Sequence, residues 1–274
     1  MKKLILSVSV LSVLGVSVKL GTAKGNEDKT KTESTVKAAE SNIKPAFADA
    51  ESYIKSVYDQ VDFKGGEKLS FEVFEKGMRG YLNLKNEGRL NDGKDVLSIV
   101  DFSQSSKAKR LWVFDLKSQE LIFNDYVAHG QGSGLEFANN FSNTTNSHQS
   151  SLGFYVTDAT YHGKHGLSLR MHGMDKGFNS DAYSRAIVVH GADYVSKDFI
   201  AGQGRLGRSW GCPAVSRDLA PKLINLIKDR TVMFIYAPQE KFLANSQWLN
   251  KKIDRVENIA FMPNAETPQT IAVN

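Results

Sequence analysis

The sequence predicts a mostly β domain, a sandwich or barrel with a few helices, over about residues 95–240. This region contains many short runs rich in β-branched and aromatic residues, separated by turn residues. It contains one clear helical stripe, at residues 219–227. Many short strands with few helices are typical of β sandwiches and barrels.

A small helical segment is predicted before this domain, over residues 46–94. Apolar residues recur at helical spacing from Phe47 to Val61 and again from Phe71 to Leu82. Two glycines separate the stretches, and Ser70 stands at the N-cap position of the second helix. We interpret the aromatic residues of both helices as core.

Seven runs within the β domain are predicted to be strands. In chain order they are residues 96–100, 110–116, 120–127, 153–157, 167–171, 186–190 and 231–236. A hairpin-length break at 117–119 joins the second run to the third. Residues 241–274 are predicted to be a C-terminal tail over the surface, with a short helix around 242–249.

Residues 1–23 have the layout of a secretory signal peptide: two lysines, an uncharged apolar run at 4–18, and a small-residue end. The run is shorter than the roughly 20 residues that a membrane span needs. An uncleaved anchor is the alternative, because Lys19 interrupts the cleavage region. Residues 24–45 are polar without apolar periodicity, which predicts a solvated linker. We therefore expect export to the periplasm or cell wall, without a stable membrane span after cleavage.

The charge of the chain argues against a nucleic-acid partner. The formal net charge is +5, but loss of residues 1–23 would leave 32 basic against 30 acidic residues. The sequence contains no basic run interleaved with aromatics and no phosphate-cradling glycine motif.

Cys212 is the only cysteine in the chain. Exported proteins that use cysteine for stability carry it in pairs, so Cys212 is inert and buried, an intermolecular linker, or a reactive thiol. Gly211 precedes it, and a glycine turn lets successive amides point at one spot, as an oxyanion hole requires. This context favours the reactive thiol.

His190 is the predicted base for this thiol. It ends the apolar run 186–190 and precedes Gly191, and the mouth of a buried strand is where rigid scaffolds place catalytic groups. A hydrogen-bonded core histidine is the alternative. If the two residues form a pair, a nearby imidazolium should hold the pKa of the thiol well below about 8.5.

These motifs carry a family resemblance. His190-Gly191, a gap, and then Ser209-x-Gly211-Cys212 resemble the signature of the YkuD-type L,D-transpeptidases. The Ser-x-Gly-Cys-Pro form is similar to a divergent branch of murein L,D-transpeptidase catalytic domain proteins. The runs at 110–127 and 151–157 are similar to the early strands of the family. The resemblance covers about residues 95–240 and implies an L,D-transpeptidase-like β sandwich or barrel.

The resemblance also implies a reaction. Cys212 would attack the carbonyl of a peptidoglycan stem peptide and form a thioester, while His190 takes its proton and later activates the acceptor. The backbone carbonyl of Gly191 would orient the imidazole, and the amides of Gly211 and Cys212 would form the oxyanion hole. An amine acceptor makes the protein a transpeptidase and water makes it an L,D-carboxypeptidase; no cofactor or metal is expected.

Two departures from the family pattern affect substrate binding. Trp210 stands where the main family has a second histidine, and Pro213-Ala214 replaces a hydrophobic residue followed by Arg or Asn. We assign Arg208, Ser209 and Trp210 to substrate binding, with Trp210 as a wall of the acyl pocket and Arg208 as the charge for a stem-peptide carboxylate. A packed aromatic and a solvated arginine are the alternatives.

Two other functions compete with this assignment. A zinc peptidase site would draw on five histidines and an aspartate, His129, His148, His162, His165, His172 and Asp158. The sequence lacks a His-Glu-x-x-His pattern, and the histidines at 162 and 165 are interpreted as polar turn residues. The other alternative is a non-catalytic cell-wall-binding module that has kept the fold.

Overall fold

A single mixed sheet of eight strands organises residues 49–253, the part of the chain that the computed structural model describes. The strands are β1 (Val96–Asp101), β2 (Leu111–Asp115), β3 (Glu120–Asp125), β4 (Gly153–Gly163), β5 (Gly166–Gly173), β6 (Val188–Gly191), β7 (Ala214–Val215) and β8 (Val232–Tyr236). Their order across the sheet is β3-β2-β1-β8-β4-β5-β6-β7. The predicted mostly β class is confirmed.

Six helices accompany the sheet within residues 49–253. They are α1 (Ala50–Gln60), α2 (Phe71–Asn86), α3 (Lys197–Gln203), α4 (Ala220–Ile227), α5 (Glu240–Asn245) and α6 (Gln247–Asn250). A 3-10 turn spans Gln131–Ser133. Within residues 49–253, no helix combines the length and apolar character that crossing a membrane requires. The predicted signal peptide (1–23) and linker (24–45) lie outside the described residues.

The two predicted N-terminal helices are confirmed, and they share one hydrophobic core with the sheet. Ser70 caps α2 as predicted, because its hydroxyl accepts the Val73 amide at 3.4 Å. Phe74 of α2 meets Phe114 of β2 edge to face, with ring centroids 5.4 Å apart. A Cβ added at Gly80 would lie 2.1 Å from the Phe154 ring, so this glycine lets α2 approach β4 closely. The boundary predicted at residue 94 stays a prediction.

Strands β6 and β4 begin or end away from their predicted limits for local reasons. Strand β6 begins at Val188 rather than at residue 186, because Ala186 has a φ of +55° in the left-handed region. Strand β4 runs on to Gly163, past an irregularity between Thr157 and Thr160, and forms a ribbon with β5. The outer part of this ribbon is partly exposed and lacks the hydrophobic pattern that marks a buried strand.

The segment after β8 contributes to the core instead of lying over the surface. The predicted short helix is two helices, α5 and α6, and they bury Phe242 and Trp248 to 1% and 3% exposure. The hydroxyl of Ser246, the N-cap of α6, donates to the carboxylate of Asp175 at 2.6 Å. The rest of the predicted tail, from residue 254, lies outside the described residues.

Asp175 makes the stability of this fold depend on pH. Its buried carboxylate accepts the Phe154 amide at 2.7 Å, and burial raises its pKa to about 6. Because the pKa is higher in the folded chain, its contribution to stability is present below about pH 4 and is lost as pH rises through 6. Asp175→Asn keeps an acceptor for the Phe154 amide but does not titrate. The variant should therefore lack the loss of roughly 3 kcal/mol in free energy of unfolding that the carboxyl causes as pH rises.

Thermal unfolding between pH 4 and 7 tests this expectation. The melting temperature of Asp175→Asn should change less over this range than that of the natural chain. Asp218→Asn, which replaces an exposed carboxylate, is the matched control and should follow the natural chain. Equal pH dependence in all three proteins would contradict the assigned pKa.

Candidate active site

Cys212 lies in a tight turn that leads into β7. The Ser209 hydroxyl closes the turn, because it accepts the Gly211 amide at 3.0 Å and donates to the Cys212 carbonyl at 2.6 Å. Gly211 has a φ of +117°, which favours glycine. Ser209 is only 5% exposed and its hydroxyl is used inside the turn. This arrangement favours a positioning role for Ser209 over the predicted contact with substrate.

A glycine-rich segment, residues 129–134, packs directly against this turn. The Ser209 amide donates to the His129 carbonyl at 3.0 Å, and the Gln131 amide donates to the Ser209 carbonyl at 2.8 Å. A Cβ at Gly130 would lie 2.8 Å from the Gly211 Cα and 2.4 Å from the His148 carbonyl oxygen. Any larger residue at position 130 would therefore displace the turn that carries the thiol.

A buried arginine supports the glycine-rich segment from behind. The Arg110 guanidinium donates to the Val127 carbonyl at 3.1 and 3.0 Å and contacts His129 Nδ1 at 2.8 Å. Burial, together with the charge of Arg110, lowers the pKa of His129 to about 3. His129 is therefore neutral at working pH and accepts at Nδ1, which is the role of a structural histidine rather than of a catalytic base.

The Cys212 thiol rests against the backbone at the start of β6. The Val188 amide lies 3.5 Å from Sγ, and Sγ lies 3.8 Å from the Ala186 carbonyl oxygen, which accepts from the thiol. Burial raises the pKa of the Cys212 thiol, against the opposing effects of the Val188 amide and of the Arg185 and Lys164 charges. The resting thiol is therefore protonated near neutral pH.

The His190 imidazole is held by its neighbour. Its Nδ1 lies 3.0 Å from the Gly191 carbonyl oxygen, in the contact that the resemblance implied. Because a carbonyl only accepts, Nδ1 carries the proton and Nε2 keeps a free lone pair. Burial lowers the pKa of His190, and the His165 and Lys164 side chains act in the same direction. The imidazole is a neutral base.

Cys212 and His190 line the same cavity, which has a volume of about 710 Å³. Strand pairing brings them together, since His190 in β6 pairs with Ala214 in β7, two residues after the thiol. Both groups are neutral at rest. The expectation that an imidazolium lowers the pKa of the thiol is therefore wrong for this site, because burial disfavours the charged form of both groups.

The three predicted substrate-binding residues, Arg208, Ser209 and Trp210, also line this cavity. Trp210 is 65% exposed and stacks on His148, with ring centroids 5.1 Å apart. Arg208 lines the cavity, but its guanidinium donates to the Gly134 carbonyl at 2.9 Å and the Gln131 carbonyl at 3.3 Å. The hydrogen bonds of residues 49–253 include one from the Gly211 amide, to Ser209, and none from the Cys212 amide.

His165 is a member of the site that the sequence interpretation missed. It lies in the turn between β4 and β5, and its ring stacks on His190 with centroids 4.3 Å apart. The sequence shows it only as a histidine in a glycine-flanked turn. The contact depends on the ribbon of β4 and β5 reaching the end of β6, which no local pattern shows.

The remaining histidines do not converge on a metal site. His172 contacts Asp158 at 3.0 Å and stacks on Tyr183, and His162 is exposed. In the described part of the chain, no group of three or more His, Cys, Asp or Glu side chains is arranged to hold a metal ion. The zinc alternative has no ligand set among residues 49–253.

Comparison with known proteins identifies one family. The family model for the YkuD_2 L,D-transpeptidase catalytic domain matches residues 66–236. Similar solved structures include an L,D-transpeptidase from Mycobacterium smegmatis, at 14% identity over 53% of this chain and 59% of that chain, with a TM-score of 0.34. Another is the helical cell shape determining protein Pgp2 from Campylobacter jejuni, at 13% identity over 63% of this chain and 61% of that chain, with a TM-score of 0.35.

The chain spans about three fifths of the length of these two proteins. No curated protein matches this chain in sequence.

The neutral pair makes a prediction about thiol chemistry. Alkylation of Cys212 by iodoacetamide requires the thiolate, so its rate should keep rising with pH beyond about 8.5 without a plateau near neutrality. His190→Gln should leave this profile nearly unchanged, because the imidazole is already neutral over that range. A plateau in the alkylation rate between pH 6 and 8 that disappears in His190→Gln would contradict this prediction and support a thiolate–imidazolium pair.

The packing of Gly130 makes a second prediction. Gly130→Ala should push the Cys212 turn away from the glycine-rich segment and destabilise the fold by about 1–3 kcal/mol. Gly202→Ala is the matched control, since a Cβ there has nothing within 4 Å. The melting temperature and the alkylation rate of Cys212 should both change in Gly130→Ala. Gly202→Ala lies in α3, so it should leave the alkylation rate unchanged and should not lower the melting temperature.

Proposed function

Because this chain belongs to the L,D-transpeptidase catalytic domain family, we propose that it is an exported peptidoglycan L,D-transpeptidase with Cys212 as nucleophile. The observation that carries the proposal is that a lone thiol and an imidazole line one cavity, with Nδ1 of the imidazole held by the Gly191 carbonyl and Nε2 without a hydrogen-bond partner among residues 49–253. Transpeptidation through a cysteine needs this pair of groups.

The first half of the proposed reaction is acylation. The Cys212 thiol leaves the Ala186 carbonyl and passes its proton to His190 Nε2 while Sγ bonds to the carbonyl carbon of a stem peptide. The tetrahedral oxyanion then collapses, the C–N bond breaks, and the imidazolium returns the proton to the leaving amine. A neutral resting pair suits this sequence, because proton and nucleophile move together and no charge is stored in the buried site.

The second half transfers the acyl group. An acceptor amine attacks the thioester carbonyl, His190 Nε2 takes its proton, and the C–S bond breaks to regenerate the protonated thiol. The Cys212 amide, which makes no hydrogen bond in the described structure, is the proposed principal oxyanion donor. The Gly211 amide, the other predicted donor, is engaged by the Ser209 hydroxyl.

The proposed substrate fits the expected location of the protein. Peptidoglycan lies outside the cytoplasmic membrane, and residues 1–23 have the layout of a signal peptide. Transfer to the periplasm or cell wall would bring the cavity to stem peptides. Lysates can be fractionated with and without signal-peptidase inhibition. The start of the chain in the periplasmic or cell-wall fraction should then lie near Lys24 if the signal peptide is cleaved.

Substitution of the pair tests the proposal. Cys212→Ala should abolish covalent labelling by a carbapenem and conversion of muropeptides, because the nucleophile is gone. His190→Gln should slow acylation about 100-fold or more while the fold is kept, since the general base is lost. His162→Gln, an exposed histidine of the β4–β5 ribbon, is the matched control and should act like the natural chain.

Intact mass and muropeptide chromatography give the outcomes. A carbapenem adduct on Cys212 with cross-linked products supports the transpeptidase, and an adduct with trimmed monomers only would make the protein an L,D-carboxypeptidase. Binding to peptidoglycan without any adduct would make it a wall-binding module. Labelling of the alanine variant would overturn the cysteine mechanism.

A further inference from the structure

The charges around the cavity are all of one sign. Its lining includes three cationic side chains, Lys164, Arg185 and Arg208, and no Asp or Glu among the described residues. A site with this balance favours an anionic ligand, because a carboxylate entering it meets attraction without a competing acid.

Two of the three cations are already engaged by the protein. Arg185 donates to the Ser142 carbonyl at 2.7 Å and the Gln149 carbonyl at 2.9 Å, and it also contacts two serine hydroxyls. Arg208 donates to two carbonyls of the glycine-rich segment, as described above. Both guanidinium groups therefore hold loops in place, and Arg208 is a poor candidate for the carboxylate role that its sequence position suggested.

Lys164 is the cation that remains. It is exposed in the turn between β4 and β5, and residues 49–253 offer its ammonium group no hydrogen-bond or ion-pair partner. Its contact is with the ring of Trp210, at 5.1 Å from Nζ to the centroid. Trp210 stands two residues before Cys212. The three N–H donors of the Lys164 ammonium thus lie beside the turn that carries Cys212.

We propose that Lys164 is the carboxylate-recognition residue of this cavity and selects stem peptides with a free carboxylate near the scissile bond over their amidated counterparts. This inference rests on the proposed function for the identity of the peptide. Its physical basis is a charge-assisted hydrogen bond from an ammonium group, which a neutral carboxamide replaces poorly. The Trp210 ring holds the ammonium in place before substrate arrives.

A pair of synthetic stem peptides tests the proposal. They are identical except that one carries the free carboxylate and the other the carboxamide. Dissociation constants are measured by calorimetry in a Cys212→Ala background, so that binding is independent of turnover. The background protein should prefer the carboxylate about 10- to 100-fold. Adding Lys164→Gln should remove most of this preference, because it should weaken binding of the carboxylate peptide and leave binding of the carboxamide peptide unchanged.

Three further variants sharpen the result. Lys164→Arg should keep most of the preference, because it keeps the charge. Lys176→Gln, an exposed lysine outside the cavity, is the matched control and should keep all of it. Arg208→Gln should weaken the binding of both peptides to a similar degree, since Arg208 supports the glycine-rich segment. The proposal is overturned if Lys164→Gln keeps the preference for the carboxylate peptide. It is also overturned if the Cys212→Ala background protein shows no such preference.

Acylation of the natural chain by the same peptides separates this inference from the proposed function. A lysine-dependent binding preference without acylation would overturn the transpeptidase and keep Lys164 as the recognition residue. Acylation with a binding preference that does not depend on Lys164 would support the transpeptidase and overturn Lys164 as the recognition residue. If neither peptide binds, both fail.

Discussion

The close approach of Gly130 to the backbone of Gly211 is the constraint on which the site depends. Two glycines let a loop and the cysteine turn pack with no side chain between them. The Ser209 hydroxyl then closes the turn from inside, and Arg110 fixes the loop from behind through His129. The position of the thiol is therefore set by backbone contacts, and no bulky side chain next to Cys212 is needed to hold it.

Burial of the same site also sets the resting protonation of the thiol and the imidazole. A desolvated site disfavours both the thiolate and the imidazolium, so the pair is neutral at rest. A protonated thiol reacts slowly with small electrophiles at neutral pH, and in the proposed mechanism it gives up its proton to the imidazole only when substrate is attacked. The His165 ring over His190 strengthens this preference by covering the base and by disfavouring its protonation.

The sequence predicted the parts of this molecule that local patterns encode. Period-two and helical patterns located both N-terminal helices, the core strands and α4, and the lone thiol with its glycine pointed to Cys212 and His190. It missed α3, which buries no residue, and β7, which has two residues. It also missed His165, because the contact joins the tip of an exposed ribbon to the end of β6. The pKa directions depend on burial, which spacing alone does not give.

The burial of Ala214 bears on the proposal that a cation from a distant turn recognises the substrate. Ala214 stands where the resembling family has Arg or Asn, and here it is fully buried in β7, between Ala128 and His190. A guanidinium at this position would enter a small apolar cluster with Val195 and Leu206, where desolvation of its charge is costly. In this chain Ala214, two residues after Cys212, serves packing, and the cation at the cavity that makes no hydrogen bond or ion pair among residues 49–253 is Lys164, between β4 and β5. In the proposed function, recognition and catalysis would thereby lie on separate elements, so that a change in the turn between β4 and β5 could alter which peptides bind without moving Cys212 or His190.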